Sequence, residues 1–370
     1  MPPLFCIMED MKKIYIILLL LVIAPLGVVF AQEEISYEGI VKSFEEVPCS
    51  DVFSEEYNCF EYIINIPELG TEQKTTPILS ETEGPKFKQG EGVYITSVTD
   101  EFGNQAWSIT GYIRGGSMLL LLIIFSVIAI LVGRRQGLGS LISLALTLLI
   151  LYLWAIPKIL NGADIMIIGI ITVLFTLVII MYVSHGFNMK STIAVISTMI
   201  GILIVGIFAK IFTTLTHVDG SGSEEAFLLL SQTDGAIDLS GVFFISILIG
   251  AMGILDDVVM NQVSAIQELY RANRDLNTVQ LYSKAMNIGR DHISSMVNTL
   301  FIAYAGSSFA LVMLLTYNSG GIGEVLKTDV IAEEVVRTLT SSIGILLIVP
   351  ISSIIAAKLI PLTSKRVNTD

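Results

Sequence analysis

The chain has two textures. From Ser117 onward, apolar runs recur between short polar breaks, each about 20 residues long, the length a helix needs to cross hydrocarbon. They predict seven membrane-spanning helices at 117–133, 138–157, 163–184, 191–214, 239–260, 293–316 and 338–360. Before Ser117 the pattern is different. Residues 36–44, 60–66, 93–98 and 105–113 alternate or cluster β-branched and aromatic residues, between turn-rich stretches such as Glu83-Gly84-Pro85 and Asp100-Glu101-Phe102-Gly103-Asn104. They predict strands, the last two a hairpin, in a small β-barrel or sandwich. At the start, Lys12 and Lys13 precede an apolar run over 14–30 that ends in Val29-Phe30-Ala31. A cleaved signal peptide and a retained anchor helix both fit, as does initiation at Met11. Either leader sends the next segment out of the cytoplasm. The expected division is therefore 1–31 leader, 32–114 extracytoplasmic β-rich domain, 115–362 multi-pass domain and 363–370 cytoplasmic tail. The fold class is a membrane all-α helical bundle carrying a small β domain.

Composition agrees. With 53% apolar and 15% charged residues and a mean hydropathy of +0.75, the chain reads as an integral membrane protein. The net charge of −13 comes mostly from 33–101 and two later loops, which argues against nucleic acid. The basic residues set the orientation. Arg134, Arg135, Lys190, Arg271, Arg274, Lys284, Arg290, Lys365 and Arg366 fall in alternate segments. The opposite segments hold only Lys158, Lys327 and Arg337 among many acids. Positive-inside logic puts the first set in the cytoplasm, at the cell membrane. Cys49 and Cys59 would then lie in an oxidising compartment, as a disulfide or as two free thiols.

Ionised groups are costly in hydrocarbon, so Asp256 and Asp257, inside the run that starts near Leu239, mark a candidate site. On helical spacing Asp257, Asn261, Ser264 and Glu268 share one face, and Asn287, Asp291, Ser294 and Asn298 repeat the spacing in the next helix. The two faces lie at similar depth and either enclose a polar cavity or are interfacial residues wetted by the cytoplasm. Arg290 is placed to neutralise an aspartate. The substrate- or ion-binding candidates are Asp256, Asp257, Asn287, Arg290, Asp291 and Asn298. Gly201, Gly206, Gly241, Gly250 and Gly253 read as close-packing positions between helices, and Pro350 as a kink in the last helix. His185 reads as a helix-end residue. No zinc-ligand spacing, phosphate-binding glycine loop or nucleophile–base pair is visible, so no enzyme activity, metal or cofactor is expected.

The run Met286-Asn287-Ile288-Gly289-Arg290-Asp291, with Asn298-Thr299-Leu300 and Ala303-Tyr304, closely resembles the YibE/F family of bacterial multi-pass membrane proteins. So do 250–256, Ser184-His185-Gly186-Phe187, Ser223-Glu224-Glu225-Ala226 and Ile331-Ala332-Glu333-Glu334. The resemblance implies fold and location, and of the two aspartates it aligns Asp256 with the family's single acid. Two function classes remain. One is a permease or ion-coupled transporter, with Asp256 as the carboxylate that binds an ion or proton, Arg290 and Asp291 as its partners, and Asn287 and Asn298 as ligands to a small solute. No internal repeat of the kind many transporters show supports it. The other is a non-transporting scaffold or sensor whose external domain binds an envelope protein. The partners to expect are the lipid bilayer, a small solute or ion, and that envelope protein, with a homo-oligomer left open.

Overall fold

The computed structural model describes residues 36–49, 58–80, 84–99, 105–319, 322–325 and 327–367. The predicted leader at 1–31 lies outside the described residues. The chain divides into two compact units, one ending at Ile128 and the other beginning at Ala129.

The first unit is a small barrel. Its strands are β1 (Ser36–Val47), β2 (Asn58–Ile66), β3 (Thr71–Lys74), β4 (Ile78–Ser80), β5 (Gly92–Thr99) and β6 (Gln105–Tyr112). β1 is long enough to pair with β5 through its first half and with β2 through its second, bending at a bulge between Val41 and Ser43. β5 and β6 form the predicted hairpin. The sheet runs β3-β2-β1-β5-β6, and a parallel bridge from Thr75 to Trp107 joins its two ends, with the Thr76 amide donating to the Trp107 carbonyl at 2.8 Å. This closure decides between the two expected forms in favour of a barrel, with the connectivity of an OB-type barrel. Inward positions of the alternating strands supply its core: Tyr62, Ile64, Ile66, Val93 and Ile95. Cys49 and Cys59 are joined as a disulfide.

Helices follow. α1 (Gly115–Ile150) leaves helical geometry at Arg134, with φ 50° and ψ −126°, and doubles back so that Gly137 passes close to the Ala129 carbonyl. A π-helical turn, Leu151–Ala155, leads into α2 (Ile156–Leu160). Pro157 explains the wide turn: it has no N–H to give Leu153, and its ring crowds that carbonyl. α3 (Ile165–His185) starts at Asp164, which accepts from the Ile167 amide at 2.9 Å, and stops at Gly186. α4 (Met189–Thr216) is capped by Asn188 and α5 (Glu224–Gln232) by Ser223. α6 (Leu239–Ala272) is followed by α7 (Thr278–Ser307), which opens with a capping box between Asn277 and Gln280. α8 (Phe309–Ser319), the short α9 (Ile322–Val325) and α10 (Asp329–Val367) complete the chain.

Among the described residues, five stretches are long and apolar enough to cross a membrane: Gly115–Leu160, Ile165–His185, Met189–Thr216, Leu239–Ala272 and Asp329–Leu362. Three boundaries differ from the sequence expectation. α6 extends past 260, because 254–272 contains no Gly or Pro to stop it. The span expected at 293–316 is instead α7 and α8, beginning at the capping box and interrupted at Ser308. α10 starts at Asp329 rather than 338 and runs through Pro350 and Pro361.

α10 packs on α4, α6 and α7, and α6 also packs on α3 and α4. Leu255 of α6, fully buried, enters the crossing between Gly201 of α4 and Gly344 of α10. A Cβ on Gly201 would lie 3.2 Å from Leu255 Cδ1, and one on Gly344 would overlap Val205. Small residues permit this approach where lipid supplies no hydrophobic drive. Gly253, by contrast, faces open space.

In β1, a Cβ on Gly39 would overlap Ile64 Cγ2. Gly39→Val is expected to destabilise the barrel by about 1–3 kcal/mol, read as faster limited proteolysis between residues 36 and 112 of the intact chain. Unchanged cleavage would mean that β1 shifts to make room.

Candidate functional site

Neighbouring residues on a helix point about 100° apart, and this separates the two aspartates. Asp256 is 7% exposed, and its Oδ1 accepts no hydrogen bond from a described residue. Asp257 is exposed and turned so that, with Lys190, it acts electrostatically on His185 at the end of α3. Other buried oxygens without a partner occur on the helices packed around α6: Thr176 on α3, Ser191 and Thr198 on α4, and Ser341 on α10. Most hydroxyls in these helices bond back to their own turn, as Ser197 does to the Ile193 carbonyl at 2.8 Å. Orphaned groups each cost about 1–3 kcal/mol when buried, and a carboxylate oxygen among them is the strongest ligand-seeking atom of the set.

The expected cavity between two matched polar faces does not form. Asp257, Asn261 and Glu268 are exposed, and so are Asn287, Arg290, Asp291, Ser294 and Asn298. Among the described residues Arg290 reaches only Asn287, at 3.4 Å, and it makes no ion pair with Asp256. The helical phase is the cause. α7 buries the stripe Leu281, Ala285 and Gly289, and Asn287 lies two residues, or about 200°, round from Ala285.

Between α6, α7 and α10 the structure places other residues. Gln262 Nε2 donates to the Ala285 carbonyl at 2.9 Å and to Ser353 Oγ at 2.8 Å. Gly289 lets α7 come this close: a Cβ there would stand 2.7 Å from Val349 Cγ1 and 3.1 Å from Gln262 Nε2. The glycine of the Asn-Ile-Gly-Arg-Asp run is thus a packing position. Sequence reasoning missed Gln262: it stands beside a second amide, Asn261, and only the packing separates the buried residue from its exposed neighbour.

A second charged cluster sits where the loop before α5 meets α10. Glu333, 6% exposed, accepts the Gly222 amide at 2.7 Å. One turn on, Arg337 stacks over the Phe243 ring at 5.3 Å and lies 3.7 Å from Glu334. Tyr304 of α7 stands in the field of Glu334 and Arg337. By sequence Glu333 and Glu334 precede the span expected at 338–360, and the structure instead places them in the first turns of α10. Among the described residues, no three His, Cys, Asp or Glu converge as metal ligands.

Membrane-length helices packed around an interior that holds a carboxylate, an amide and several hydroxyls define a multi-pass membrane protein. The family model described as YibE/F-like protein matches residues 121–362. That is well over half of the chain, which therefore belongs to the YibE/F-like family. The match begins inside α1, so the barrel lies outside it. Comparison with the curated proteins gave no match, and comparison with the solved structures gave none.

Two outcomes follow for stability in detergent. Gly289→Ala is expected to cost about 1–3 kcal/mol, and adding Val349→Ala should recover part of the loss by clearing the overlap. No recovery would mean that Val349 is not the obstacle. Asp256→Asn and Arg290→Gln should combine additively, within about 0.5 kcal/mol; a larger coupling would restore the pairing that the structure lacks.

Proposed function

We propose that this protein is a permease or ion-coupled transporter of a small solute in the cell membrane, with Asp256 as its ion- or proton-binding carboxylate. The observation that carries the reading is the Asp256 oxygen, buried in a membrane-length helix with no hydrogen bond from a described residue. Ionisable groups at such positions mark ion pathways and proton relays. Unpartnered hydroxyls on the packed helices extend the polar lining. Asp257, Asn287, Arg290, Asp291 and Asn298, exposed as they are, belong in this reading to the approach to the site.

The proposed topology has seven spans, counting Gly115–Leu160 twice for its reversal at Arg134 and adding α7 with α8. Residues 32–114 are extracytoplasmic and the C-terminus is cytoplasmic. The positive-inside pattern and the Cys49–Cys59 disulfide support this orientation.

A second reading is a membrane scaffold or sensor whose external barrel binds an envelope protein. The exposed Asn287, Arg290, Asp291 and Asn298 favour it, since a cluster open to the surroundings encloses no transport cavity.

One experiment separates the two. Melting temperatures of the detergent-purified protein are measured against a panel of cations, anions and pH values, for wild type and for Asp256→Asn. Without ligand the variant should be at least as stable as wild type, because it buries no charge. One cation, or acidification, should raise the wild-type value and leave the variant unmoved, a gain of about 2.7 kcal/mol at a hundredfold excess over Kd. If no condition distinguishes the two proteins, Asp256 is structural and the scaffold reading stands.

A further inference from the structure

Two adjoining hollows on the helical unit share a border. The first, of about 540 Å³, lies between α3, α4 and α6 and is lined by apolar side chains, among them Leu174, Leu203, Ile207 and Leu248. The second, of about 370 Å³, continues it toward the loop after α4 and is polar, with Thr214, Asp219 and Asp238 in its wall. Lys210 and Phe244 border both. An apolar groove thus opens, at a single lysine, into a recess of mixed charge.

We propose that the two hollows together bind one phospholipid with a primary-amine headgroup, of the phosphatidylethanolamine type. One of its two acyl chains lies in the apolar groove, its phosphate meets Lys210, and its ammonium meets Asp238 and Asp219.

The charges support this occupant. Lys210 sits within a membrane-length helix and forms no ion pair with a described residue. Exposed near the end of α4 at Thr216, its ammonium reaches toward the headgroup level, where a phosphate supplies a counter-charge. Asp238 holds the N-cap position of α6, yet its side chain caps nothing. Its Oδ2 instead lies over Gly241, 2.8 Å from where a Cβ would stand, and Gly241 lines the recess. Asp219 accepts from the amide and hydroxyl of Ser221, at 3.0 and 2.6 Å, and these bonds hold its carboxyl below the usual range, so it is ionised at neutral pH. A fatty acid or an anionic headgroup would satisfy Lys210 but face two carboxylates. A zwitterion satisfies both signs, and a primary ammonium donates the hydrogen bonds that a choline cannot. The site is independent of Asp256 and holds whether or not the protein transports anything.

The test is native mass spectrometry of the full-length protein in detergent, titrated separately with phosphatidylethanolamine, phosphatidylcholine and phosphatidylglycerol of matched chains. Melting temperatures are read in parallel. Wild type should retain phosphatidylethanolamine at one per chain, in preference to the other two, and gain several degrees from it. Lys210→Gln should weaken retention about tenfold, the loss of about 1.4 kcal/mol, while Lys210→Arg should keep it. Asp238→Asn should erase the preference over phosphatidylglycerol. Equal retention of the three lipids by wild type would reduce the groove to ordinary lipid-facing surface and overturn the proposal. So would unchanged retention in Lys210→Gln, or a lipid-free dimer that Gly206→Leu, which fills the groove, disperses.

Discussion

Lipid tails are as apolar as leucine, so helices gain nothing by hiding from them, and association must come from close packing and buried hydrogen bonds. In this chain that constraint falls on one seam of α6. Leu255 fills the crossing made by Gly201 and Gly344. Seven residues on, and so on the same face, Gln262 ties Ser353 of α10 to Ala285 of α7. Once these two residues set the rotation of α6, the rest is geometry. Asp256, one residue from Leu255, is carried out of water, and Asp257, one further, is left outside. The buried carboxylate is thus a consequence of the packing that holds the bundle together.

The helical unit therefore has two polar regimes. Gln262 commits its amide nitrogen to two acceptors on two other helices, the Ala285 carbonyl and Ser353 Oγ. Asp256 and the hydroxyls of Thr198, Ser191 and Ser341 carry oxygens without a protein partner. The first regime makes a rigid junction, and the second leaves chemical capacity unspent, which is what binding requires. The cluster of Glu333, Glu334 and Arg337 mixes the two, since Arg337 Nε makes no hydrogen bond with a described residue. Glu333 holds the loop at Gly222 against α10, and Arg337 is spread between a carboxylate and an aromatic face.

The barrel obeys a different rule. Its strands alternate inward and outward residues, so a buried set of Tyr62, Ile64, Ile66, Val93 and Ile95 fixes the register. The long β1 turns the corner at its bulge, and the bridge from Thr75 to Trp107 removes the open edge. It lies outside the part of the chain that the family match covers.

Much was legible in the order of residues alone. Runs of apolar residues, the strand-like alternation before Ser117 and the Asn-Ile-Gly-Arg-Asp run carried the membrane class, the β-rich domain and the family, while the starts of α7 at its Asn277 cap and of α10 at Asp329 were not read. Hydrophobicity and period are local properties that act within a few residues and do not depend on what packs where. The paired polar faces of α6 and α7 were read from the same periodicity, but a period gives a face and not its direction. Which way Asn287, Arg290 and Asp291 point was decided by Gly289 and Ala285, whose small size lets α7 settle against Gln262 and Val349. The sequence by itself determined which segments are helices and which faces are polar. Only the tertiary structure decided which of those faces is buried, because rotation about a helix axis is set by contacts with residues far away in the chain.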